Sequence, residues 1–172
     1  HTVSGTSPSV LANRVSYVLD LRGPSLAVDT ACSASGTALH LARQAVELGE
    51  VDTALVLGSN LVLNPGPTAA FHDAGVLAPD GVCRPFDENG EGYVRAEGIV
   101  VLVLRRLEAA RESRDRVYAL VRGSVANCDG RSPGLYAPNR DAHTALLEEA
   151  YAAADLDPAH VDYVQCHGTG TK

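Results

Sequence analysis

A cysteine surrounded by small polar residues is the part of this sequence best suited to covalent chemistry. Cys32 lies in the segment 28–36, between a strand predicted at residues 25–29 and a helix predicted at residues 33–48. Backbone N–H groups and the positive end of a helix dipole favour a thiolate at such a position, and they suit the oxyanion of a thioester intermediate. Because a free cysteine is also commonly a small buried hydrophobe, position alone leaves both interpretations open.

A histidine in a glycine–threonine loop is the second candidate. His167 precedes a Gly-Thr-Gly-Thr run and follows a strand predicted at residues 161–166. This placement suits acid–base or hydrogen-bonding chemistry, and the glycines let a substrate approach the backbone. A turn or a phosphate-binding loop is the alternative, although the sequence has neither Walker A nor G-x-G-x-x-G spacing. The other histidines receive no functional role: His1, His40, His72, His143 and His160.

The elements that must position these residues alternate between short apolar runs and helical periods, which indicates an α/β fold. Besides those above, strands are predicted at residues 53–58, 99–104 and 117–125, and a second helix at residues 141–156. The run 99–104 is continuously apolar, which predicts burial on both faces. Residues 64–67 are predicted as loop. Residues 84–98 form a long, polar, glycine-rich segment of a kind that is usually functional or mobile.

Composition narrows the class of protein. The chain has 172 residues, of which 45% are hydrophobic, enough for one domain with a core. A net charge of −7 lacks the basic surface that nucleic acid or anionic lipid requires. No apolar stretch has the length of a membrane span. The widely spaced cysteines argue against a zinc site and a disulfide framework, so a reducing, cytoplasmic setting is expected.

Five segments in collinear order resemble the β-ketoacyl synthase family. Residues 28–33 resemble its active-site motif, and residues 167–171 resemble its first histidine motif. Three segments between them resemble the family's connecting signature: residues 78–81, 84–87 and 92–98. The lead-in at residues 12–17 and 20–25 resembles the ketosynthase domains of bacterial type I polyketide synthases in particular.

This resemblance implies a thiolase-like fold, layered α-β-α-β-α and normally homodimeric. Residues 1–172 would be a partial ketosynthase domain, comprising the end of its N-terminal half and the start of its C-terminal half, with both ends truncated. We therefore expect residues 1–172 alone to be inactive.

The resemblance also implies the chemistry. Cys32 would take the acyl chain as a thioester, and its N–H would contribute to the oxyanion hole. His167 would be one of two histidines that stabilise the enolate formed when a malonyl-type extender loses CO₂. Thr169 and Thr171 would hydrogen-bond the pantetheine arm. The domain itself would bind no cofactor or metal, because its substrates arrive on the phosphopantetheine of an acyl carrier protein, with an acyltransferase domain as a further partner.

Two alternatives and two departures from the family pattern qualify this assignment. An elongating β-ketoacyl synthase of fatty-acid synthesis shares both motifs, and a non-catalytic protein that sets chain length or holds a dimer shares the fold. Gln165 replaces the glutamate usual before the histidine motif, and Gly36 replaces an apolar residue in the helix that follows Cys32. A biosynthetic thiolase fits less well, since thiolases use a second cysteine as base and condense without decarboxylation. A thiol-redox protein fits less well because the sequence has no close cysteine pair.

Overall fold

The computed structural model describes residues 2–171, apart from the side chain of Val3. The helices are α1 (Thr2–Thr6), α2 (Pro8–Val18), α3 (Ala34–Leu48), α4 (Pro65–Asp73), α5 (Leu107–Glu112) and α6 (Arg140–Ala154), followed by a 3-10 turn (Pro158–His160). Strands β1 (Thr53–Asn60) and β2 (Gly98–Arg105) form a two-stranded sheet. None of the helices within the described range is long and apolar enough to cross a membrane.

The chain divides into two compact units. The first comprises the residues up to Leu57 together with Val101–Leu156, and the second comprises Gly58–Val100 together with the residues from Asp157 onwards. The first unit therefore contains α3 and α6, whereas the second contains α4 and the predicted histidine loop.

Helix α3 confirms the helix predicted after Cys32. It ends at Gly49, whose φ of 74° is the left-handed conformation that a glycine cap adopts without steric strain. The Arg106 side chain donates hydrogen bonds to two carbonyls of the last turn, those of Val46 (2.9 Å) and Glu47 (2.8 Å). A cation at a helix C-terminus satisfies unpaired carbonyls and interacts favourably with the helix dipole.

Helix α6 confirms the second predicted helix, although it ends two residues early. The Asn139 side chain caps its N-terminus by accepting from the N–H groups of Asp141 (3.1 Å) and Ala142 (3.3 Å). The last helical residue is Ala154, because Asp155 adopts a left-handed φ of 50°. Arg122 donates to the Ala154 carbonyl at 3.0 Å, so this helix also has an arginine at its C-terminus.

The predicted loop at residues 64–67 is wrong, because helix α4 begins there. The Asn64 side chain accepts from the N–H of Gly66 at 3.0 Å, and Pro65 occupies the first helical position. Asparagine as a cap and proline at the first position are standard signals for a helix start. The structure also adds three helices to those predicted from the sequence: α1, α2 and α5.

The strand predictions were confirmed in part. Strands β1 (Thr53–Asn60) and β2 (Gly98–Arg105) include the predicted ranges 53–58 and 99–104, but β2 is not buried on both faces. The side chains of Ile99 and Val103 are 63% and 65% exposed. A continuous apolar run indicates that a strand is suited to burial on both faces. Burial itself requires other elements packed against those faces, and in this structure the sheet has two strands.

Three other predicted strands are not assigned as strands: residues 25–29, 117–125 and 161–166. A strand is defined by its hydrogen bonds to a neighbour, which apolar alternation does not reveal. Residues 117–125 instead pack against the end of α6. A Cβ added at Gly123 would lie 3.0 Å from the Cβ of Ala154.

The two units have different buried residues. The buried apolar side chains are Val46, Val56, Ala110 and Ala154, all in the first unit. In the described part of the second unit, the residues classed as buried are Gly90 and Gly92. The first unit therefore has a small side-chain core, whereas the closest packing in the second is between backbone segments.

Candidate active site

Cys32 lies in an exposed turn that leads into α3. The helix begins at Ala34, with Ser33 as its N-cap residue. Ala31, directly before the cysteine, adopts a φ of 54°, which is uncommon for a residue with a Cβ. The Asp29 carboxylate accepts from the Ala31 N–H at 3.0 Å and fixes this sharp bend. The turn therefore holds an exposed thiol just before the predicted helix, whereas the sequence had left open whether this cysteine is buried.

The hydroxyls of Thr30, Ser33 and Thr37 form a hydrogen-bonded chain between this turn and the start of α3. Ser33 Oγ donates to the Thr30 carbonyl at 2.8 Å. A serine has a single hydroxyl proton, so Ser33 Oγ must accept its 2.9 Å bond from Thr30 Oγ1. By the same reasoning Thr30 Oγ1 accepts from Thr37 Oγ1 at 3.0 Å. The chain ties the turn to the first turn of α3 through residues that are close in sequence.

Gly36, the first departure from the family pattern, lies in the first turns of α3. Apart from its chain neighbours and the backbone of its own helix, no atom lies within 4 Å of the position that a Cβ at residue 36 would take. The absent side chain therefore leaves open space beside this part of the helix.

His167 is exposed and begins the loop that contains both predicted threonines. Gly168 and Gly170 adopt φ values of 48° and 72°, which lets the loop turn twice within four residues. The hydroxyls of Thr169 and Thr171 lie 2.9 Å apart and are hydrogen-bonded to each other. The structure thus places these two threonines together, directly after the histidine.

The histidine loop is held by a distant part of the chain, residues 83–92. The Gly92 N–H donates to the Gly170 carbonyl at 3.0 Å, and the Cys83 thiol lies 3.6 Å from the Thr169 carbonyl. A Cβ at Gly170 would lie 3.2 Å from the carbonyl oxygens of both Arg84 and Gly92. Glycine is required here because the two backbone segments approach too closely for a side chain.

Gly92 makes the closest backbone approach in this segment. Its φ is 144°, and an added Cβ would lie 2.5 Å from the carbonyl carbon of Leu77. The backbone of Tyr93 makes two hydrogen bonds to residues 76–78. Its N–H donates to the Val76 carbonyl, and its carbonyl accepts from the Ala78 N–H, each at 3.0 Å. The Gly-Glu-Gly sequence thus connects residues 76–78 to the histidine loop.

Two carboxylates accept hydrogen bonds before and within this segment, those of Asp80 and Asp87. Arg84 lies 2.7 Å from Asp80, and this hydrogen bond, with the Val82 N–H, lowers the pKa of Asp80 from its ordinary value of 3.8. The same pairing raises the pKa of Arg84. The backbone N–H and the side-chain amide of Asn89 lower the pKa of Asp87. Both carboxylates are therefore ionised at neutral pH.

The loop and its supporting segment line an open groove of about 480 Å³. Its lining comprises Phe86, Asp87, Glu88, Gly90, Gly168, Thr169, Gly170 and Thr171. Thr169 and Thr171, whose hydroxyls bond to each other, are thus part of the lining of this groove.

The predicted site residues fall in both compact units. Cys32 belongs to the first unit, whereas His167, Thr169 and Thr171 belong to the second. The structure brings the last three together in one loop. The pairing of Cys32 with His167 stays a prediction.

Sequence reasoning missed the residues that support or line the site without doing chemistry themselves. Asp29 and Thr37 hold the cysteine turn, while Phe86, Gly90 and Gly92 hold or line the histidine loop. The glycine-rich composition of residues 84–98 was the available signal for the latter group. Nothing in the sequence indicated that this segment contacts residues 168–170.

Two other histidines have partners outside these features, whereas Cys83 contacts the histidine loop. All four cysteines are free and exposed. His40 bonds Ser124 through Nδ1 at 2.9 Å, and His143 lies 3.2 Å from Asp129. Within residues 2–171 there is no cluster of three or more histidine, cysteine or acidic residues placed to hold a metal ion.

Comparison with family models covers nearly the whole chain. Residues 1–110 match the family described as β-ketoacyl synthase, N-terminal domain, and residues 118–172 match β-ketoacyl synthase, C-terminal domain. The first match ends within α5 and the second begins at residue 118, so residues 111–117 lie between them.

The curated relatives are large polyketide synthases from bacteria and fungi. The chain is 51% identical over 168 residues to a phenolphthiocerol/phthiocerol polyketide synthase of Mycobacterium tuberculosis, covering 98% of this chain and 9% of that protein. It is 49% identical over 171 residues to a reducing polyketide synthase of Cochliobolus heterostrophus, covering 99% of this chain and 7% of that protein. The chain thus spans less than a tenth of these relatives' length.

Solved structures give the same result for the fold. The oxazolomycin ketosynthase domain of Streptomyces albus superimposes with a TM-score of 0.93 at 44% identity, over 96% of this chain and 30% of that one. The ketosynthase from module 6 of the bacillaene synthase of Bacillus subtilis gives 0.94 at 41% identity, over 99% of this chain and 31% of that one. The chain therefore belongs to the β-ketoacyl synthase family and has the thiolase-like fold of polyketide synthase ketosynthase domains.

Proposed function

We propose that this chain supplies the nucleophile and one histidine of a decarboxylative Claisen condensation that extends a polyketide. The Cys32 thiolate attacks the carbonyl of an acyl thioester, the bond to the pantetheine sulfur breaks, and the pantetheine thiol leaves with a proton. A malonyl-type thioester then loses CO₂, and its enolate carbon attacks the acyl-Cys32 carbonyl. The Cys32 thiolate leaves as the new carbon–carbon bond forms.

The observation that carries this proposal is the geometry of the cysteine turn. Cys32 is exposed, directly before α3, with a left-handed residue on one side and a helix N-cap on the other. An exposed thiol directly before a helix N-terminus is compatible with nucleophilic catalysis in which backbone N–H groups stabilise the oxyanion. Membership of the ketosynthase family supports the same assignment.

His167 has the second role in the proposal. Its imidazole N–H donates a hydrogen bond to the enolate oxygen that develops as CO₂ leaves. Thr169 and Thr171 hydrogen-bond the pantetheine arm that presents the extender. No metal or bound cofactor takes part, because the phosphopantetheine belongs to the carrier protein.

The partners follow from this chemistry. We propose that the substrates are presented by an acyl carrier protein, that an acyltransferase domain loads the extender, and that the ketosynthase works as a homodimer. The relatives' descriptions as polyketide synthases support this arrangement. We also expect residues 1–172 alone to be inactive.

An acylation experiment on the full-length protein tests the role of Cys32. The protein is incubated with an acyl-pantetheine thioester, and its peptides are then analysed by mass spectrometry. We expect the acyl mass on Cys32, its loss in Cys32→Ala and its retention in Cys128→Ala, since Cys128 is also free and exposed. Wild-type protein without a Cys32 adduct would overturn the proposal in favour of a non-catalytic ketosynthase-like protein.

The role of His167 needs a second measurement. In His167→Ala we expect Cys32 acylation to persist, while release of CO₂ from a malonyl thioester falls about 100-fold or more, because a donor to the developing anion is lost. Equal decarboxylation by His167→Ala and wild type contradicts the assigned role. A histidine without a role in the reaction, such as His160 in the 3-10 turn, provides the control through His160→Ala.

A further inference from the structure

Phe86 combines backbone strain with exposure of a large apolar ring. Its φ is 63°, a conformation that a bulky side chain rarely adopts, and the residue is 84% exposed. Strain of this kind persists only where the surrounding structure enforces it, and it is concentrated at functional sites.

The ring of Phe86 lies against the first glycine of the histidine loop. The position that a Cβ at Gly168 would take is 3.5 Å from Phe86 Cε2 and 3.3 Å from Pro85 Cβ. Phe86 also lines the 480 Å³ groove together with Thr169 and Thr171. The groove therefore has an apolar wall as well as two hydroxyls, which fits a narrow chain with both methylene and amide groups.

The charges around the groove restrict which part of such a chain fits. Asp87 and Glu88 also line it. The Asp87 carboxylate accepts two hydrogen bonds from Asn89 and is ionised at neutral pH. A phosphate beside these carboxylates would be repelled. The neutral stretch of a pantetheine arm, with its methylenes and amides, is compatible with this lining.

We propose that Phe86 is a substrate-binding residue whose ring contacts the neutral part of the pantetheine arm in the groove that Thr169 and Thr171 line. This inference rests on the proposed function, and it adds a residue to which neither the motifs nor the family comparison assigned a role. The left-handed φ of Phe86 is then the conformation that presents the ring to the groove.

Two variants distinguish the contribution of the Phe86 ring from that of its backbone conformation. Phe86→Gly removes the ring and also relieves the strain at φ 63°, whereas Phe86→Tyr keeps the ring. Both are made in the full-length protein, and Cys32 acylation is measured with two donors. One donor is an acyl-pantetheine thioester, and the other is the corresponding ethanethiol thioester, which has no arm.

We expect Phe86→Gly to raise the KM for the acyl-pantetheine about tenfold, with a smaller change in kcat. Acylation by the ethanethiol thioester should stay within twofold, and Phe86→Tyr should stay within twofold on both donors. An unchanged KM in Phe86→Gly, or an equal loss on both donors, overturns the inference. Failure of the wild type to form a Cys32 adduct overturns the proposed function itself, so the two failures are distinguishable.

Discussion

The cysteine turn and the histidine loop are held in place in opposite ways. At the cysteine turn the supporting groups are the side chains of Asp29, Thr30, Ser33 and Thr37, all within a short stretch of sequence. At the histidine loop the support comes from backbone groups of residues 83–92, which are remote in sequence. The first arrangement can form as α3 forms, whereas the second needs the second unit to be folded.

The difference extends to the packing of the two units. The unit that contains Cys32 buries apolar side chains, including Val46 and Val56, whereas the most buried residues in the described part of the other unit are Gly90 and Gly92. Side-chain cores tolerate volume-conserving substitutions, but backbone-to-backbone contacts accept no Cβ at all. We therefore expect the histidine loop to be the more sensitive region to single substitutions.

The largest effect is predicted for Gly92→Ala. A Cβ would lie 2.5 Å from the carbonyl carbon of Leu77, and the φ of 144° is accessible almost only to glycine. The free energy of local opening at residues 167–171 should fall by about 3 kcal/mol. Hydrogen exchange in the full-length protein, followed by mass spectrometry of the peptide with the histidine loop, measures this loss.

Gly36→Ala is the matched control for this substitution. Apart from its chain neighbours and the backbone of α3, a Cβ at Gly36 meets no atom within 4 Å, and alanine is the better helix former by about 1 kcal/mol. Protection of α3 should therefore be equal or greater in this variant. If Gly92→Ala leaves exchange at residues 167–171 unchanged, the histidine loop does not depend on its backbone contact with residues 83–92.

A smaller effect is predicted for Thr30→Val at the cysteine turn. Valine retains the shape but removes the central hydroxyl of the chain that links Ser33 and Thr37. Loss of these hydrogen bonds should lower the free energy of local opening at residues 30–37 by about 1 kcal/mol, with the histidine loop unaffected. Exchange in the two peptides distinguishes the regions directly.

Thr144→Val is the control for this hydroxyl. Thr144 Oγ1 donates to the Arg140 carbonyl on the exposed face of α6, where a substitution should change stability by less than about 0.5 kcal/mol. Equal exchange at residues 30–37 in Thr30→Val and wild type would show that the hydroxyl chain contributes nothing to the turn.

The smallest effect is a pH dependence at residues 80–90. Because the pKa of Asp80 and of Asp87 is lowered by folding, their stabilisation is complete above the ordinary value of 3.8 and is lost as pH falls through the lower folded value. Exchange at residues 80–90, corrected for intrinsic rates, should rise below about pH 4. The variants Asp80→Asn and Asp87→Asn should show this higher exchange at about pH 6, and a wild-type profile in both contradicts the assignment.

Local patterns in the sequence predicted the parts of the fold that depend on local interactions. The apolar spacing in α3 and the glycine after it indicated the helix and its end at Gly49. The apolar runs indicated β1 and β2. The start of α4 was missed although Asn64 and Pro65 are standard signals for a helix start, because the short Asn-Pro-Gly-Pro stretch equally suits a turn.

Patterns that depend on a neighbour led to less reliable predictions. Residues 25–29, 117–125 and 161–166 have the alternation of strands but are not paired as strands, and β2 is apolar yet exposed. Alternation of apolar and polar residues indicates that a segment suits an extended, half-buried strand. It does not indicate which strand pairs with that segment or which element packs on its face.

The sequence by itself determined the chemistry available to this protein: a cysteine before a helix, a histidine before a glycine–threonine loop, and motifs in the order of a ketosynthase. The tertiary structure alone decided how the histidine loop is supported, because a contact between Gly92 and Gly170 joins residues far apart in the chain. It also decided that Phe86 adopts a strained backbone against Gly168. Single glycines and a single aromatic residue produce no periodic pattern in the sequence. The contacts between Gly92 and Gly170 and between Phe86 and Gly168 are therefore known only from the folded structure.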